Sequence, residues 1–394
     1  MAKNLPIGAP TSSARNTGID TLRGLCILLV VLHHIALRIP LKQTALADYL
    51  PQRLLGALNF NGYEAVFVFF VISGFLIASN TLARRGTLAN IDIQDFYVRR
   101  AARILPCLLL LVLVLGGLHW VGAESYVIKG KEQSLTGTVL SALGLYLNWY
   151  EGQTGWLPGG WDVLWSLSIE EVFYLAFPML CLLVRDLRAL IGLLILLALS
   201  LPITRAALAD NAIWQEKAYL PGMAAIATGV LAAICARHFK PKLILVNALV
   251  VIGSIGMLSV FIFGDLLWAL LRDGMMLVLT FSAALLVVGL HWRHASVKAT
   301  PWRALGWLRS CGRLSYEIYL THMFVVFAVV GWFKTHGAYM RAGHWWYLPS
   351  VLLCWLLGAA VARYFSEPCE RAMRRSLTNS GTAEPSSIGA STSP

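Results

Sequence analysis

Ten apolar segments of about 18–24 residues each constrain this chain more than any other feature of its sequence. Each one is long enough to cross the hydrocarbon core of a bilayer as a helix that satisfies its own backbone hydrogen bonds. Hydrophobic residues make up 58% of the 394 residues and charged residues only 13%, which excludes an ordinary soluble domain. We therefore expect an all-α polytopic membrane protein. The predicted spans are 19–38, 60–82, 104–121, 164–184, 189–206, 218–236, 243–263, 268–290, 314–333 and 347–365.

A further apolar segment, TGTVLSALGLYLNWY at 136–150, is too short to cross the bilayer. Glycine and proline follow it in GQTGWLPGGWD, which interrupts any continuing helix. We expect a short re-entrant or interfacial segment that folds back against the fourth span.

Lysine and arginine are unevenly distributed between the two sets of loops. With the N-terminus inside, 22 of the 32 basic residues fall in or beside the inner loops and 10 in the outer ones. Because cytoplasmic loops are enriched in Lys and Arg, this bias predicts that both termini are cytoplasmic. Residues 1–18 then form a cytoplasmic N-terminal segment, 19–375 the transmembrane domain, and the low-complexity residues 376–394 a disordered cytoplasmic tail.

The first span carries ionisable side chains that are costly to place in lipid. Arg23 and His34 are eleven residues apart, so they lie within about 20° of one helix face and about 16 Å apart along the axis. Asp20 is one turn from Arg23 and can pair with it. A histidine in a helix is often a hydrogen-bonded core residue, an interpretation that suits His33. The alignment of an Arg with a His instead favours a functional role for His34.

A cluster of arginines begins the third span, in DFYVRRAARILP. Arg100 and Arg103 share a helix face, and Arg99 lies to one side. Taken alone, the cluster is best interpreted as a positive anchor on the cytoplasmic side. Guanidinium groups also bind phosphate through paired hydrogen bonds, so the cluster would equally suit a phosphorylated donor.

Two more spans contain polar groups in unusual places. In WSLSIEEVFY, Glu170 and Glu171 open an otherwise apolar span, and such carboxylates are costly unless they face a polar cavity or the interface. Near the start of a helix their charge also interacts favourably with the helix dipole. In SYEIYLTH, Tyr316, Tyr319 and His322 follow at three-residue steps. His322 is either a second histidine of a cavity or a packed residue bonded to a tyrosine.

Together these stretches resemble the acyltransferase-3 family of integral-membrane O-acyltransferases. The resemblance rests on Arg23 with His34 and on FFVISGFLIA, FYVRRAARILP, WSLSIEEVFY, SYEIYLTH and SEPCERAM, in family order from about residue 19 to 375. It implies an enzyme that moves an acyl group, usually acetyl, from cytoplasmic acyl-CoA to a hydroxyl of a carbohydrate or glycoconjugate. It also implies a multi-pass protein of the bacterial inner membrane, with acyl-CoA as co-substrate, no bound cofactor and no nucleic-acid partner.

Many relatives in that family carry an additional SGNH-type domain after the last span. No G-D-S motif follows the last predicted span here, so we expect a stand-alone transmembrane module. No cluster of His, Cys and carboxylate residues has the spacing of metal ligands, and we expect no metal.

The resemblance and the residues together assign candidate roles. We expect His34 to be the general base, since an imidazole titrates near neutral pH, with Glu170 orienting it or the acceptor sugar. Arg23 completes the catalytic candidates, and the donor phosphates would be bound by Arg100, Arg103 and Arg99. The remaining candidates for a polar cavity are Asp20, Ser166, Trp165, Glu171, Tyr316, Tyr319 and His322.

Two other classes of protein remain to be weighed. A proton-coupled secondary transporter or exporter of a small solute would use the same ionisable groups as a proton relay. Such a transporter would show inverted repeats with paired broken helices, which the sequence does not show. A membrane sensor or scaffold would leave the aligned Arg and His without a purpose. Dependence on acyl-CoA distinguishes the enzyme from both.

Overall fold

The computed structural model describes residues 15–239, 241–296, 302–336 and 339–379, and this part of the chain is a bundle of helices without β-strands. The helices are α1 (Thr17–Ala36), α2 (Gln52–Phe60), α3 (Gly62–Arg85), α4 (Ile93–Trp120), α5 (Leu135–Leu143), α6 (Leu147–Thr154), α7 (Gly159–Asp162), α8 (Trp165–Leu183), α9 (Leu187–Leu199), α10 (Leu201–Ala206), α11 (Ala212–Lys217), α12 (Tyr219–His238), α13 (Leu243–Leu271), α14 (Met275–Ser296), α15 (Gly306–Arg313), α16 (Ser315–Thr335), α17 (Tyr347–Val361) and α18 (Glu367–Asn379).

Nine helical stretches within those residues are long and apolar enough to cross a membrane. The longest, Leu243–Ser296, consists of α13 followed by α14. Gly253 of α13 faces Leu286 of α14, and Gly289 of α14 faces Val250, so the two helices pack antiparallel. This stretch therefore contains both the seventh and the eighth predicted spans. The prediction of an all-α polytopic membrane protein is confirmed.

The third span is longer than its apolar run. Its helix, α4, begins at Ile93, eleven residues before the predicted start, because the side chain of Asp92 caps it by accepting a hydrogen bond from the Asp95 amide. The 28 residues of α4 correspond to about 42 Å, well beyond a hydrocarbon core of about 30 Å. Hydropathy marks only the apolar part of such a helix and misses its polar first turns.

The short apolar segment at 136–150 forms parts of α5 and α6, with nine and eight residues respectively. At about 1.5 Å per residue neither helix can cross a bilayer. Helix α5 packs on α4, and α6 packs on α8, which is the fourth span. The expected contact with the fourth span is thus observed.

The last span continues past its predicted end. After α17 the chain makes one π-helical turn at Ala362–Ser366 and continues as α18 to Asn379, so residues 376–379 are helical where the sequence predicted a tail. The rest of the predicted tail, 380–394, and residues 1–14 of the N-terminal segment lie outside the described residues.

Helices α3 and α12 cross in close backbone contact. A Cβ atom added at Gly74 would lie 2.0 Å from the carbonyl oxygen of Ile226, and one added at Gly229 would lie 2.0 Å from that of Val71. Only glycine permits the two backbones to approach so closely. This crossing sets the rotation of α3 about its own axis, so that Ser73, the residue before Gly74, faces α8.

We predict that Gly74→Ala lowers the thermal stability of the purified protein. The two atoms nearest to the added methyl group are backbone atoms of Ile226 on α12, and overpacking of this kind costs about 1–3 kcal/mol. The matched control is Gly192→Ala on α9, where an added Cβ meets nothing within 4 Å. The midpoint of thermal unfolding should fall for Gly74→Ala and not for Gly192→Ala. Equal midpoints in both variants would contradict the packing argument.

Candidate active site

The two ends of the bundle carry different ionisable groups. Helix α1 begins beside Arg100 and Arg103 of α4, which we call the arginine end, and Arg23 lies there with them. At the far end of α1, His33 packs against Gly62 at the start of α3. We call this opposite end the histidine end. The stripe predicted from the sequence therefore joins two chemically distinct regions.

A cavity of about 190 Å³ lies between α1, α3, α4, α8 and α16. Its wall follows α3 from Asn80 to Val66, about 21 Å of helix at 1.5 Å per residue. Eight of its polar residues are sequence-predicted site residues. The polar side chains of the wall are Arg23, Ser73, Asn80, Arg100, Arg103, Ser166, Glu170, Glu171, Tyr174, Ser315, Tyr316 and Tyr319.

The cavity adjoins a recess at the arginine end, and the two share Asn80, Arg100 and Arg103. The recess is rimmed by further arginines that are bound to carboxylates: Arg99 to Asp95 at 2.5 Å, and Arg85 to Asp92 at 2.7 Å. Arg99 therefore lies beside the predicted donor-binding pair but is already engaged in an ion pair.

Arg100 and Arg103 differ from the other arginines of the recess. In the described part of the chain neither one makes an ion pair, and Arg100 instead lies over the ring of Tyr174, 4.4 Å from its centroid. A guanidinium group without a carboxylate partner keeps its N–H donors available for an anion. The entrance to the cavity thus presents two such groups.

Glu170 is held in place by two hydroxyl groups. Ser73 and Tyr174 both donate hydrogen bonds to its Oε1, and their hydroxyls also contact each other. The sequence predicts that Glu170 orients His34 or the acceptor sugar, whereas its observed partners are these two hydroxyls, and Tyr174 lies against Arg100 at the arginine end. Next to it, Oε1 of Glu171 is buried without a hydrogen-bond partner. Sequence reasoning missed Ser73 and Tyr174, because nothing in the sequence shows that Ser73 faces α8.

Arg23 bonds to α16 and not to its neighbour on α1. Its guanidinium donates a hydrogen bond of 2.7 Å to Ser315 Oγ. Asp20 instead pairs with Arg15 at 2.9 Å and does not line the cavity. The predicted pairing of Asp20 with Arg23 is wrong, because Arg15 precedes the helix and the periodicity of α1 gives no information about where it reaches.

Trp165 does not line the cavity either. It is buried, with 7% of its surface exposed, and its ring lies 6.1 Å from the rings of both Tyr63 and Phe70. The indole therefore belongs to an aromatic cluster between α3 and α8. Its neighbour Ser166, in contrast, lines the cavity as predicted.

His34 lies outside the cavity, in contact with the ring of His322 on α16 at a centroid distance of 4.9 Å. His322 is fully buried and does not line the cavity, and its Nδ1 lies 2.7 Å from the carbonyl oxygen of Tyr319. Of the two interpretations drawn from the sequence, the packed residue bonded to a tyrosine is therefore the one observed. His33 Nδ1 lies 3.0 Å from the carbonyl oxygen of Asn59, the hydrogen-bonded arrangement predicted for it. We refer to His34 and His322 as the histidine pair.

Tyr319 separates the cavity from the histidine pair. Its hydroxyl lies 2.7 Å from Ser166 Oγ and 2.9 Å from the carbonyl oxygen of Val163, so it is bonded to the start of α8. Its ring lines the cavity on one side and lies 5.8 Å from the ring of His322 on the other. The cavity and the histidines are therefore neighbours with one side chain between them.

Comparison with known proteins shows to which family the chain belongs. A family model described as "Acyltransferase domain" matches residues 16–365, which include the whole cavity and the histidine pair. The chain belongs to this acyltransferase family.

Relatives of this chain are named for acetyl transfer. A Bacillus subtilis (strain 168) protein named "Putative peptidoglycan O-acetyltransferase" is 27% identical over 339 residues, covering 78% of this chain and 48% of the relative. A "Peptidoglycan O-acetyltransferase" of Listeria monocytogenes is 26% identical over 220 residues, covering 52% and 29%. The chain thus spans about half or less of the length of these relatives. No solved structure matches it.

A buried ion cluster lies among the short helices that precede α8 and α12. The ammonium group of Lys217, on α11, lies 2.9 Å from Glu151 Oε2 on α6 and also bonds to Asp162 on α7. The ring of Trp156 lies 4.1 Å from the ammonium. The sequence does not reveal this cluster, because Lys217 is 66 and 55 residues along the chain from its partners Glu151 and Asp162. The cluster ties those helices to the start of α8.

Proposed function

We propose that this protein is a membrane O-acyltransferase that moves an acyl group, in the first instance acetyl, from cytoplasmic acyl-CoA to a hydroxyl of a carbohydrate or glycoconjugate. Family membership supports the reaction type, and the peptidoglycan named for the relatives supports a carbohydrate acceptor. The observation that carries the proposal is the pair of arginines without ion-pair partners at the entrance of a cavity that extends toward the histidine pair. On this proposal both termini and the arginine end face the cytoplasm of the bacterial inner membrane.

The donor would bind with its nucleotide in the recess and its pantetheine arm in the cavity. Arg100 and Arg103 would bind the phosphates, because guanidinium groups form charge-assisted hydrogen bonds with phosphate oxygens. A cavity of about 190 Å³ is too small for a nucleotide, but its length of about 21 Å suits a thin, extended arm. The thioester at the tip of that arm would then lie near Tyr319.

Arg23 and Glu170 would act along the arm and not at the reacting carbonyl. Both line the cavity toward the arginine end, and Arg23 is about 16 Å along α1 from His34. The arm carries two amide groups, whose carbonyl oxygens accept hydrogen bonds and whose N–H groups donate them. Arg23 can donate to an amide carbonyl oxygen, and Glu170 can accept from an amide N–H. The two bonds would fix the position of the arm along the cavity.

The reaction itself would take place at the histidine pair. The acceptor hydroxyl gives its proton to His34 as its oxygen attacks the thioester carbonyl, and general-base catalysis of this kind contributes about 10²–10⁴-fold. The new carbon–oxygen bond forms, the carbon–sulfur bond breaks, and the leaving thiolate takes the proton from His34. Ester and free CoA leave, and His34 returns to its neutral form.

The decisive experiment measures binding of acetyl-CoA and release of free CoA by the purified protein in detergent. A folded preparation should bind acetyl-CoA and release CoA, at a rate that rises when a saccharide acceptor is added. A well-folded preparation that binds no acyl-CoA would overturn the proposal and favour the proton-coupled transporter.

Arg103→Gln should raise the KM for acetyl-CoA about tenfold or more, with little change in kcat, because one charge-assisted contact to the donor phosphates is lost. The matched control is Arg185→Gln, which removes the same charge outside the cavity and the recess. Initial rates of CoA release over a range of acetyl-CoA concentrations separate the two parameters. An unchanged KM in Arg103→Gln, or an equal rise in Arg185→Gln, would contradict the assignment.

A further inference from the structure

One ring nitrogen of His322 is buried without a partner. The imidazole is fully buried, its Nδ1 lies 2.7 Å from the carbonyl oxygen of Tyr319, and its Nε2 has no hydrogen-bond partner. A carbonyl oxygen can only accept a hydrogen bond, so Nδ1 carries the proton in the neutral ring. Nε2 is then an acceptor with a free lone pair. Buried polar atoms in folded proteins are rarely left in this state without a reason.

The neighbour that can complete this hydrogen bond is His34. The two rings are in contact, with centroids 4.9 Å apart, and in the described chain neither ring bonds to a carboxylate. A histidine that acts as a base usually has its second nitrogen held by a hydrogen bond, which fixes its tautomer. His34 lacks such a partner unless His322 provides it.

We propose that His322 is the positioning residue of His34, with its Nε2 accepting a hydrogen bond from an N–H of the His34 ring. That bond leaves the second nitrogen of His34 unprotonated and available to the acceptor hydroxyl. The backbone of α16 thereby selects the tautomer of His34 through two successive hydrogen bonds. His34 donates to His322, and His322 donates to the carbonyl oxygen of Tyr319. The inference rests on the proposed function, because it takes His34 as the base.

The proton that His34 takes up in this arrangement is given up again in the same reaction. The proton of the acceptor hydroxyl moves to the free nitrogen of His34 while the acyl carbon gains its bond to oxygen and loses its bond to sulfur. The same proton then passes to the thiolate of CoA. The protons on His322 Nδ1 and on the His34 nitrogen that faces His322 stay where they are, and no group is oxidised or reduced.

Two substitutions of His322 distinguish a hydrogen-bond acceptor from a space-filling residue. His322→Leu fills much of the space without an acceptor, and His322→Gln can place its side-chain oxygen near the position of Nε2. We expect His322→Leu to lower kcat for CoA release about 10²-fold with an unchanged KM for acetyl-CoA. His322→Gln should keep kcat within about tenfold of the parent, because the acceptor is retained.

The matched control is His33→Gln. His33 also contacts the ring of His34, at a centroid distance of 5.3 Å, but its Nδ1 is engaged with the Asn59 carbonyl. We expect kcat and KM of this variant to equal those of the parent. Binding of acetyl-CoA to each variant, measured separately, verifies that it has folded.

The outcomes separate this inference from the proposed function. Equal kcat values for parent, His322→Leu and His322→Gln, beside an inactive His34→Ala, would overturn the inference and leave the proposed function intact. Equal losses in Leu and Gln variants that bind acetyl-CoA normally would show that the acceptor atom is not what matters, and would also overturn it. A parent protein that binds no acetyl-CoA would overturn both.

Discussion

Replacing His34 with Ala should lower the rate of acyl transfer about 10²–10⁴-fold while leaving the affinity for acetyl-CoA unchanged. The loss is expected because the two other histidines here are each held by a backbone carbonyl, Nδ1 of His322 by that of Tyr319 and Nδ1 of His33 by that of Asn59. The affinity should persist because His34 does not line the cavity in which the donor would bind. Calorimetry gives the Kd for acetyl-CoA, and release of free CoA gives the rate.

His33→Gln also serves as the control for this prediction, since it alters the adjacent residue of the same helix turn. A His34→Ala protein that binds acetyl-CoA as tightly as the parent and also releases CoA at the parental rate would exclude His34 as the base. A protein that has lost binding as well would contradict the separation of the donor cavity from the histidine pair.

Lys217→Met should be among the most destabilising single substitutions available in this chain. The ammonium is 2% exposed, and its removal leaves the carboxylates of Glu151 and Asp162 close together and without a compensating charge. Breaking a buried ion pair in this way costs about 3–5 kcal/mol. The midpoint of thermal unfolding, followed by tryptophan fluorescence in detergent, should fall sharply.

The control for Lys217→Met is Lys334→Met, the same chemical change at an exposed position near the end of α16. Adding Glu151→Gln to Lys217→Met should restore part of the lost stability, because it removes one of the two carboxylates left without a partner. A midpoint in Lys217→Met equal to that of Lys334→Met, or a double variant less stable than the single one, would show that the cluster does not stabilise the fold in this way.

The charged residues of the cavity could be found from the sequence, whereas two of its uncharged polar residues, Ser73 and Tyr174, could not. Arg23 and Glu170 stand out because a charge within an apolar span is costly and demands an explanation. Ser73 and Tyr174 are unremarkable in any membrane helix, and only the crossing of α3 with α12 turns Ser73 toward Glu170. Nothing in the sequence marks Lys217 as buried, because its burial depends on α6 and α7 folding over it.

Some features of the fold could likewise be predicted from the sequence and others could not. Hydropathy located the spans, because a helix that crosses lipid must consist largely of apolar residues, and such a run is visible in the sequence. It gave no sign of α15, a helix of eight residues between two spans. This helix packs on α1 so closely that a Cβ at Gly24 would lie 2.0 Å from the carbonyl oxygen of Leu308. Such contacts depend on tertiary structure, which a single sequence does not display.

The position of Tyr319 has a consequence for the membrane as a whole. Bacteria store energy as a proton gradient, and a water-filled channel through an inner-membrane enzyme would discharge it. While Tyr319 is bonded to Ser166 and to the carbonyl of Val163, its side chain lies between the cavity and the histidine pair. On the proposed function, an acyl group would then cross most of the bilayer on its carrier arm without opening a leak for ions.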